Sequence, residues 1–184
     1  AMYDTDRYLE LVHRLDRDTS GLLLVARRAS TLRSLHGLLR SNGVDKRYLC
    51  LVSGRWPAHL KRVDAPLEKF ALPSGERRVK VAATGRQSLT TFRVVTRWPS
   101  MTLVEAKPVT GRTHQIRVHC QHAGFPILGD AKYADDAADR LAEKLRLKRL
   151  FLHAASLSFR LEEQNYSLQA ALPLELQRLI DSAT

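Results

Sequence analysis

Short strand-like segments, most of them next to one another in the chain, constrain this sequence more than any other feature. Residues 89–97 and 102–107 alternate apolar and polar side chains on either side of a turn at Pro99-Ser100, so they predict an antiparallel pair. The same reading predicts strands at 8–15, 22–26, 47–54, 153–159 and 166–170. In 8–15, Leu11, His13 and Leu15 take one face and Val12, Arg14 and Asp16 the other. The continuous apolar run at 22–26 predicts a strand covered on both faces. Residues 55–87 read as shorter strands and loops, punctuated by Pro57, Pro66, Pro73, Gly75 and Gly85. Helical spacing is confined to 30–41, with Leu32, Leu35, Leu38 and Leu39 inward and Asn42-Gly43 as the stop, and to 113–122, 136–148 and 173–182. Such a chain is expected to be α+β with a largely antiparallel sheet. It has no βαβ rhythm, GxGxxG or GxxxxGK[ST], so neither a dinucleotide nor a nucleoside triphosphate is expected, and no cofactor.

The 184 residues suit a single domain spanning 1–184, and 44% apolar with 27% charged residues describes a folded chain. No window approaches 18 consecutive apolar residues, and the opening AMYDTDRYLE has no leader pattern. Structured sequence begins within ten residues of Ala1-Met2, which raises the expectation that an upstream region is missing. Cys50 and Cys120 both lie in apolar runs and cannot form a metal site by themselves, so a reduced, cytoplasmic compartment is expected. Charge points to a partner. Thirty Lys+Arg stand against 19 Asp+Glu, for a net +11, and 22 of the 30 are arginine. Residues 51–100 carry ten basic and three acidic side chains, whereas 151–184 carry two and four. An arginine-rich basic surface favours nucleic acid. Without a basic amphipathic helix bearing exposed aromatics, a membrane surface is disfavoured.

Two segments concentrate reactive side chains. In HRLDRDTSG (13–21), Arg14 and Asp16 project the same way from a strand end, and the following loop offers free backbone N–H groups. Asp16 there could serve as general acid/base or nucleophile, or simply close an Asx-turn with a surface ion pair. In GRTHQIRVH (111–119), Thr113, Ile116 and Cys120 are spaced to face a core, while His114, Arg117 and Gln121 share another stripe. Arg112, Thr113 and His114 would form a first helical turn suited to an anion. The alternatives are a solvated Arg117 and a metal site from His114, His119, His122 and Cys120; the latter lacks i, i+4 ligand spacing between His114 and His119 and any CxxC pair. Tyr48, in KRYLCLVSG (46–54), shares a strand face with Cys50 and Val52 and is either a core-rim aromatic or a ring for stacking a base. Asp135 and Asp136, at a helix start, read as its cap and not as a nuclease carboxylate cluster.

These segments together resemble the RluA-type pseudouridine synthases. HRLDRDTSGLLLVAR looks like that family's first motif, KRYLCLVSG its second, PVTGRTHQIRVHCQHAGFPILGDAKY its third and RLFLHAASLSF its C-terminal one, in order from about residue 8 to residue 175. The likeness points to the RluC branch, which modifies large-subunit ribosomal RNA. It implies the pseudouridine synthase fold, a mixed and mainly antiparallel sheet flanked by helices, with an S4-type RNA-binding domain upstream that this sequence does not include. It also implies Asp16 as catalytic carboxylate, Tyr48 as base-stacking tyrosine, Arg117 as ion-pair partner of Asp16, and Arg14 as the arginine that enters the RNA where uridine leaves. Arg112 and His114 complete the expected substrate contacts, with no metal, no cofactor and a monomeric enzyme acting on 23S ribosomal RNA. The same chemistry on tRNA, or an inactive RNA-binding or ribosome-assembly protein, are the alternatives; the intact Asp16, Tyr48 and Arg117 argue against the inactive one.

Overall fold

In the computed structural model, which describes residues 8–183, the long strands pair as their alternation demands. In chain order the elements are β1 (Glu10–Leu11), β2 (Ser20–Gly21), β3 (Val25–Ala26), α1 (Ala29–Arg40), β4 (Val44–Ser53), β5 (Arg62–Asp64), β6 (Leu67–Ala71), β7 (Arg77–Val81), β8 (Leu89–Arg97), β9 (Met101–Pro108), α2 (Gln115–His122), α3 (Asp136–Lys144), β10 (Leu152–Leu161), β11 (Gln164–Gln169) and α4 (Leu174–Ser182). The main sheet runs β11-β10-β4-β9-β8-β5 with antiparallel neighbours throughout, and β2 joins β10 in parallel. This is the α+β architecture expected: a mixed, mainly antiparallel sheet with helices against it. β6 and β7 form a separate hairpin, and β1 and β3 a two-residue ribbon. No described helix is long and apolar enough to cross a membrane. Residues 1–7, which include most of the opening stretch inspected for a leader pattern, lie outside the described residues, as does Thr184.

The core lies on the β4–β9 pair. Cys50, Leu51 and Val52 of β4 are fully buried against Val104 and Ala106 of β9, and Cys120 of α2 is buried with them. Trp56 closes one end, its ring centroid 4.5 Å from Phe92 and 5.4 Å from Phe125. Its indole N–H donates to the Leu60 carbonyl at 2.8 Å, so a large apolar ring is buried without an orphaned donor.

Four elements depart from the sequence expectation. The strand predicted over 8–15 pairs only at Glu10–Leu11; the Val12 N–H still donates to the Leu24 carbonyl at 3.0 Å, and side chains then join in the hydrogen bonding. His36 of α1 donates to the Val12 carbonyl at 3.0 Å, and the Leu24 N–H donates to His13 Nε2 at 3.2 Å. The run at 22–26 is strand only at β3 and is not covered on both faces. Ala26 packs with Val12 and Leu35, while Leu23, Val25 and Leu11 stay exposed, because only one side of this ribbon meets α1. Helix α2 begins at Gln115, with His114 in the left-handed region at φ 52°. Arg112, Thr113 and His114 therefore precede the first helical turn instead of forming it. Helix α3 stops at Lys144, short of 148, since Arg146 turns left-handed at φ 55° and the Leu147 N–H closes back on the Ala142 carbonyl. At its other end, Asp135 caps α3 as expected, accepting from the Ala138 N–H at 2.8 Å.

The segment between His13 and Leu24 is thus irregular, yet it is fastened throughout. Ser20 donates its hydroxyl proton to His153 Nδ1 at 2.9 Å, and His153 Nε2 donates to the Ala170 carbonyl at 3.0 Å. Arg149 reaches the Asp18 carbonyl at 3.0 Å, where Asp18 itself is left-handed at φ 69°. Gly21 has φ 109°, and a β-carbon there would sit 2.3 Å from the Ala154 carbonyl oxygen. Gly21→Ala is therefore expected to lower stability by ~2 kcal/mol or more, through backbone strain and the parting of β2 from β10. Urea unfolding measures this; a midpoint equal to that of the unsubstituted chain would show that the loop tolerates a side chain here.

Candidate active site

A cavity of about 630 Å³ opens where the 13–19 loop, the first half of β4 and the 108–116 segment meet. Asp16 and Tyr48 line it, with Lys46 beside Tyr48 and with Arg14, Arg40 and Arg112 also in its wall. Alternation along β4 puts Val44, Lys46 and Tyr48 on the cavity side, in line with the buried Cys50 and Val52. Burial, followed by the charge of Asp16, pushes the Tyr48 hydroxyl up to about 12, so the ring stays a neutral phenol.

Beneath the cavity lies Arg117, whose side chain is only 6% exposed. A solvated helix charge is ruled out. The stripe pattern expected for α2 does not hold either, since every residue from Gln115 to Cys120 is buried. This helix is enclosed by the main sheet on one side and the β6–β7 hairpin on the other, so its polar side chains are satisfied one at a time. Gln115 donates to the Leu89 carbonyl at 2.9 Å, and His119 is held between Thr90 at 2.9 Å and the Ala65 carbonyl at 3.0 Å. Arg117 grips Asp130 with a fork, Nε to Oδ2 at 2.7 Å and Nη2 to Oδ1 at 2.6 Å. Its remaining nitrogen, Nη1, lies 3.8 Å from Asp16 Oδ2. Asp16 and Arg117 are thus an ion pair at a distance longer than a hydrogen bond, and the tight partner of Arg117 is Asp130. The Asp130 side chain is fully buried and also accepts the backbone N–H groups of Lys132 and Tyr133, at 3.0 and 3.2 Å. Tyr133 lays its ring 5.0 Å from the guanidinium carbon.

The other expected contacts separate by depth. Arg14 is exposed at the cavity wall; Arg112 lines it too, its Nε donating to the Gln87 carbonyl at 3.2 Å. His114 is turned away. Its Nδ1 accepts from the Tyr133 hydroxyl at 2.7 Å, while that hydroxyl accepts the Val79 N–H at 3.0 Å. Burial holds the His114 imidazole below its ordinary value, which fits a neutral acceptor. No described group of histidine, cysteine and carboxylate side chains is arranged to hold a metal ion. His119 in particular has both ring nitrogens engaged. The basic residues of 51–100 do not line the cavity; Arg62, Arg78 and Arg93 pair with Asp64, Glu76 and Glu105. Sequence reasoning missed Asp130. Its signal was available: a carboxylate ending the apolar run Pro126-Ile127-Leu128-Gly129 must find a cation once that run is buried.

Residues 2–122 match the family described as RNA pseudouridylate synthase. The ribosomal large subunit pseudouridine synthase C of Haemophilus ducreyi is 54% identical over 159 residues, covering 86% of this chain and 50% of that protein. The protein of the same name from Escherichia coli K12 is 57% identical over 161 residues, again 86% and 50%. This chain therefore spans about half the length of the curated relatives it matches. Among solved structures, human RNA pseudouridylate synthase domain containing 1 superposes with a TM-score of 0.77 at 26% identity, over 90% of this chain and 70% of that one. Human RNA pseudouridylate synthase domain containing 4 does so with 0.76 at 28% identity, over 94% and 75%.

Removing Arg117 would leave Asp130 buried without its cation. Arg117→Met is expected to cost about 3–5 kcal/mol of stability, far beyond the ~1 kcal/mol upper range of an exposed pair. Chemical denaturation decides it, and a loss under ~1 kcal/mol would mean that the fork contributes nothing. The buried histidines set a second expectation. Burial lowers His13, His114 and His119 below 6.5, so the unfolded chain takes up protons first as pH falls. Stability should decline on going from about pH 7.5 to about pH 5.5, before carboxylates titrate. A urea midpoint constant across that window would contradict it.

Proposed function

This chain belongs to the RNA pseudouridylate synthase family, and we propose on that premise that it isomerises specific uridines to pseudouridine in large-subunit ribosomal RNA. The observation that carries the reading is the convergence of three separate segments: Asp16 and Tyr48 in the wall of one cavity large enough for a nucleotide, and Arg117 beneath it, 3.8 Å from Asp16. Pseudouridine formation breaks the N1–C1′ bond, turns the uracil and rejoins it through C5; C5 gives up a proton and N1 gains one, so the product is an isomer. Such a reaction needs a carboxylate that can act as base or nucleophile, a neutral surface for the ring, and exclusion of bulk water. Asp16 supplies the first, with Arg117 behind it to stabilise its charge, and Tyr48 supplies the second. Reaching the cavity requires flipping the base out of its stack, and the exposed Arg14 stands where it could fill the vacated space. Arg112 and Arg40 offer phosphate contacts at the wall, while His114 acts through Tyr133 instead of touching RNA.

The names of the matched bacterial proteins support the large ribosomal subunit as substrate. The same reading makes the chain a cytoplasmic, monomeric catalytic domain, working without metal or cofactor. Its test is release of tritium from C5-labelled uridine in unmodified ribosomal RNA, followed by base-resolution mapping with tRNA as the second arm. Asp16→Asn is expected to keep the fold and lower turnover by several powers of ten, on the order of 10³ or more. Activity within about tenfold of wild type would remove Asp16 from its role. Modification confined to tRNA would overturn the ribosomal substrate.

A further inference from the structure

One charge in the cavity has no use so far. Lys46 lies two residues before Tyr48 on the same face of β4, and its side chain enters the cavity. It is half-buried, and among the described residues it forms no ion pair and no hydrogen bond through its ammonium. Its neighbours on β4 behave otherwise: Asp45 is matched by Lys107 at 2.6 Å and by Arg47 at 3.1 Å. The Lys46 ammonium sits about 4.0 Å from the place a β-carbon on Gly111 would occupy, on the wall formed by the 108–116 segment. The charge of Asp16, by contrast, bears on Tyr48, His114 and Arg117. The cavity is therefore polarised, with a carboxylate on one side and an uncompensated cation on the other. Burial already lowers the Lys46 amine, and no carboxylate of the described residues raises it again. A partly desolvated ammonium is costly to keep without a partner, and the described residues provide none.

We propose that Lys46 is a catalytic residue, its ammonium meeting a carbonyl oxygen of the flipped uracil and stabilising the negative charge that the ring acquires as the glycosidic bond breaks. The inference rests on the reading given under Proposed function. When the N1–C1′ bond breaks, both electrons stay with the base, and the charge spreads over N1 and the two ring carbonyl oxygens. C1′, left electron-poor, faces Asp16. Rejoining at C5 then releases the C5 proton and N1 is protonated, so Lys46 ends the cycle charged as it began. A positioned cation at a developing oxyanion is among the larger single contributions to catalysis. Phosphate binding by Lys46 is disfavoured by depth: Arg14 and Arg40 are exposed and stand nearer solvent, where the sugar–phosphate backbone must stay, whereas Lys46 shares the face of the ring that receives the base.

The test compares Lys46→Met and Lys46→Arg under single turnover, on RNA carrying uridine or 5-fluorouridine at the target. Loss of the target nucleoside is followed by digestion and mass spectrometry. Fluorine withdraws electron density, so 5-fluorouracil departs more readily and needs less help from a cation. Lys46→Met should slow uridine at least ~100-fold, slow 5-fluorouridine less than ~10-fold, and leave RNA affinity within about threefold. Lys46→Arg should recover part of the uridine rate. Neither change should lower the melting temperature, because a desolvated charge is removed or kept; if Lys46→Met does not fold, Lys46→Gln takes its place in the same comparison. Equal losses on both substrates with weakened RNA binding would make Lys46 a phosphate contact and overturn the proposal. So would a Lys46→Met rate within about twofold of wild type. A wild-type chain that forms no pseudouridine on any RNA would instead overturn the underlying reading, and this inference with it.

Discussion

A guanidinium buried between two carboxylates organises the centre of this molecule. Arg117 could have been replaced, along with Asp130, by apolar side chains at little cost in stability, because desolvating two ions offsets most of their attraction. What apolar residues cannot do is hold a positive charge 3.8 Å from Asp16 while the rest of the guanidinium is gripped from behind. The fork to Asp130 fixes the plane of Arg117, the Lys132 and Tyr133 N–H groups fix Asp130, and the Tyr133 ring covers the open face. Only one nitrogen, Nη1, is left to turn toward Asp16. The hairpin β6–β7 joins in by donating the Val79 N–H to the Tyr133 hydroxyl, so an element far from Asp16 in sequence helps to aim the charge beside it.

The carboxylate side of the site is built differently. Asp16 sits in an irregular segment, which would be mobile if left to its backbone alone. Three imidazoles hold it instead: His36 at Val12, His13 at Leu24 and His153 at Ser20. His13 accepts the Leu24 N–H at a ring nitrogen, and burial holds its imidazole below its ordinary value, which suits that neutral acceptor. Parallel pairing of β2 with β10 then ties the loop to the same sheet that carries Tyr48. Loop and strand thus share one rigid support, which is what a site needs if it is to keep reactive groups in register.

Charge is distributed with equal economy. The basic residues of the stretch 51–100 do not line the cavity, and several of its arginines are already matched by carboxylates. The cations that count at the cavity are few and come from elsewhere: Arg14, Arg40, Lys46 and Arg112. Net charge favours an anionic partner but carries no information on which face would meet it.

Much was legible in the sequence. The long alternating runs of β8 and β9, the leucine spacing of α1 and the Asp135 cap are local patterns, fixed by side-chain period and turn chemistry within a few residues, whereas Asp16, Tyr48 and Arg117 stand out only through the likeness of their motifs to a family. Motif likeness also points to the family to which the chain belongs. Tertiary structure alone decided that α2 is buried at every residue from Gln115 to Cys120, that the 8–15 strand ends at Leu11, that His114 turns to Tyr133, and that Arg117 is held chiefly by Asp130. The reason is physical. A period reports which faces of an element are apolar, but a buried polar group takes the partner that the packing of distant elements brings within 3 Å, and spacing along the chain carries no record of that distance.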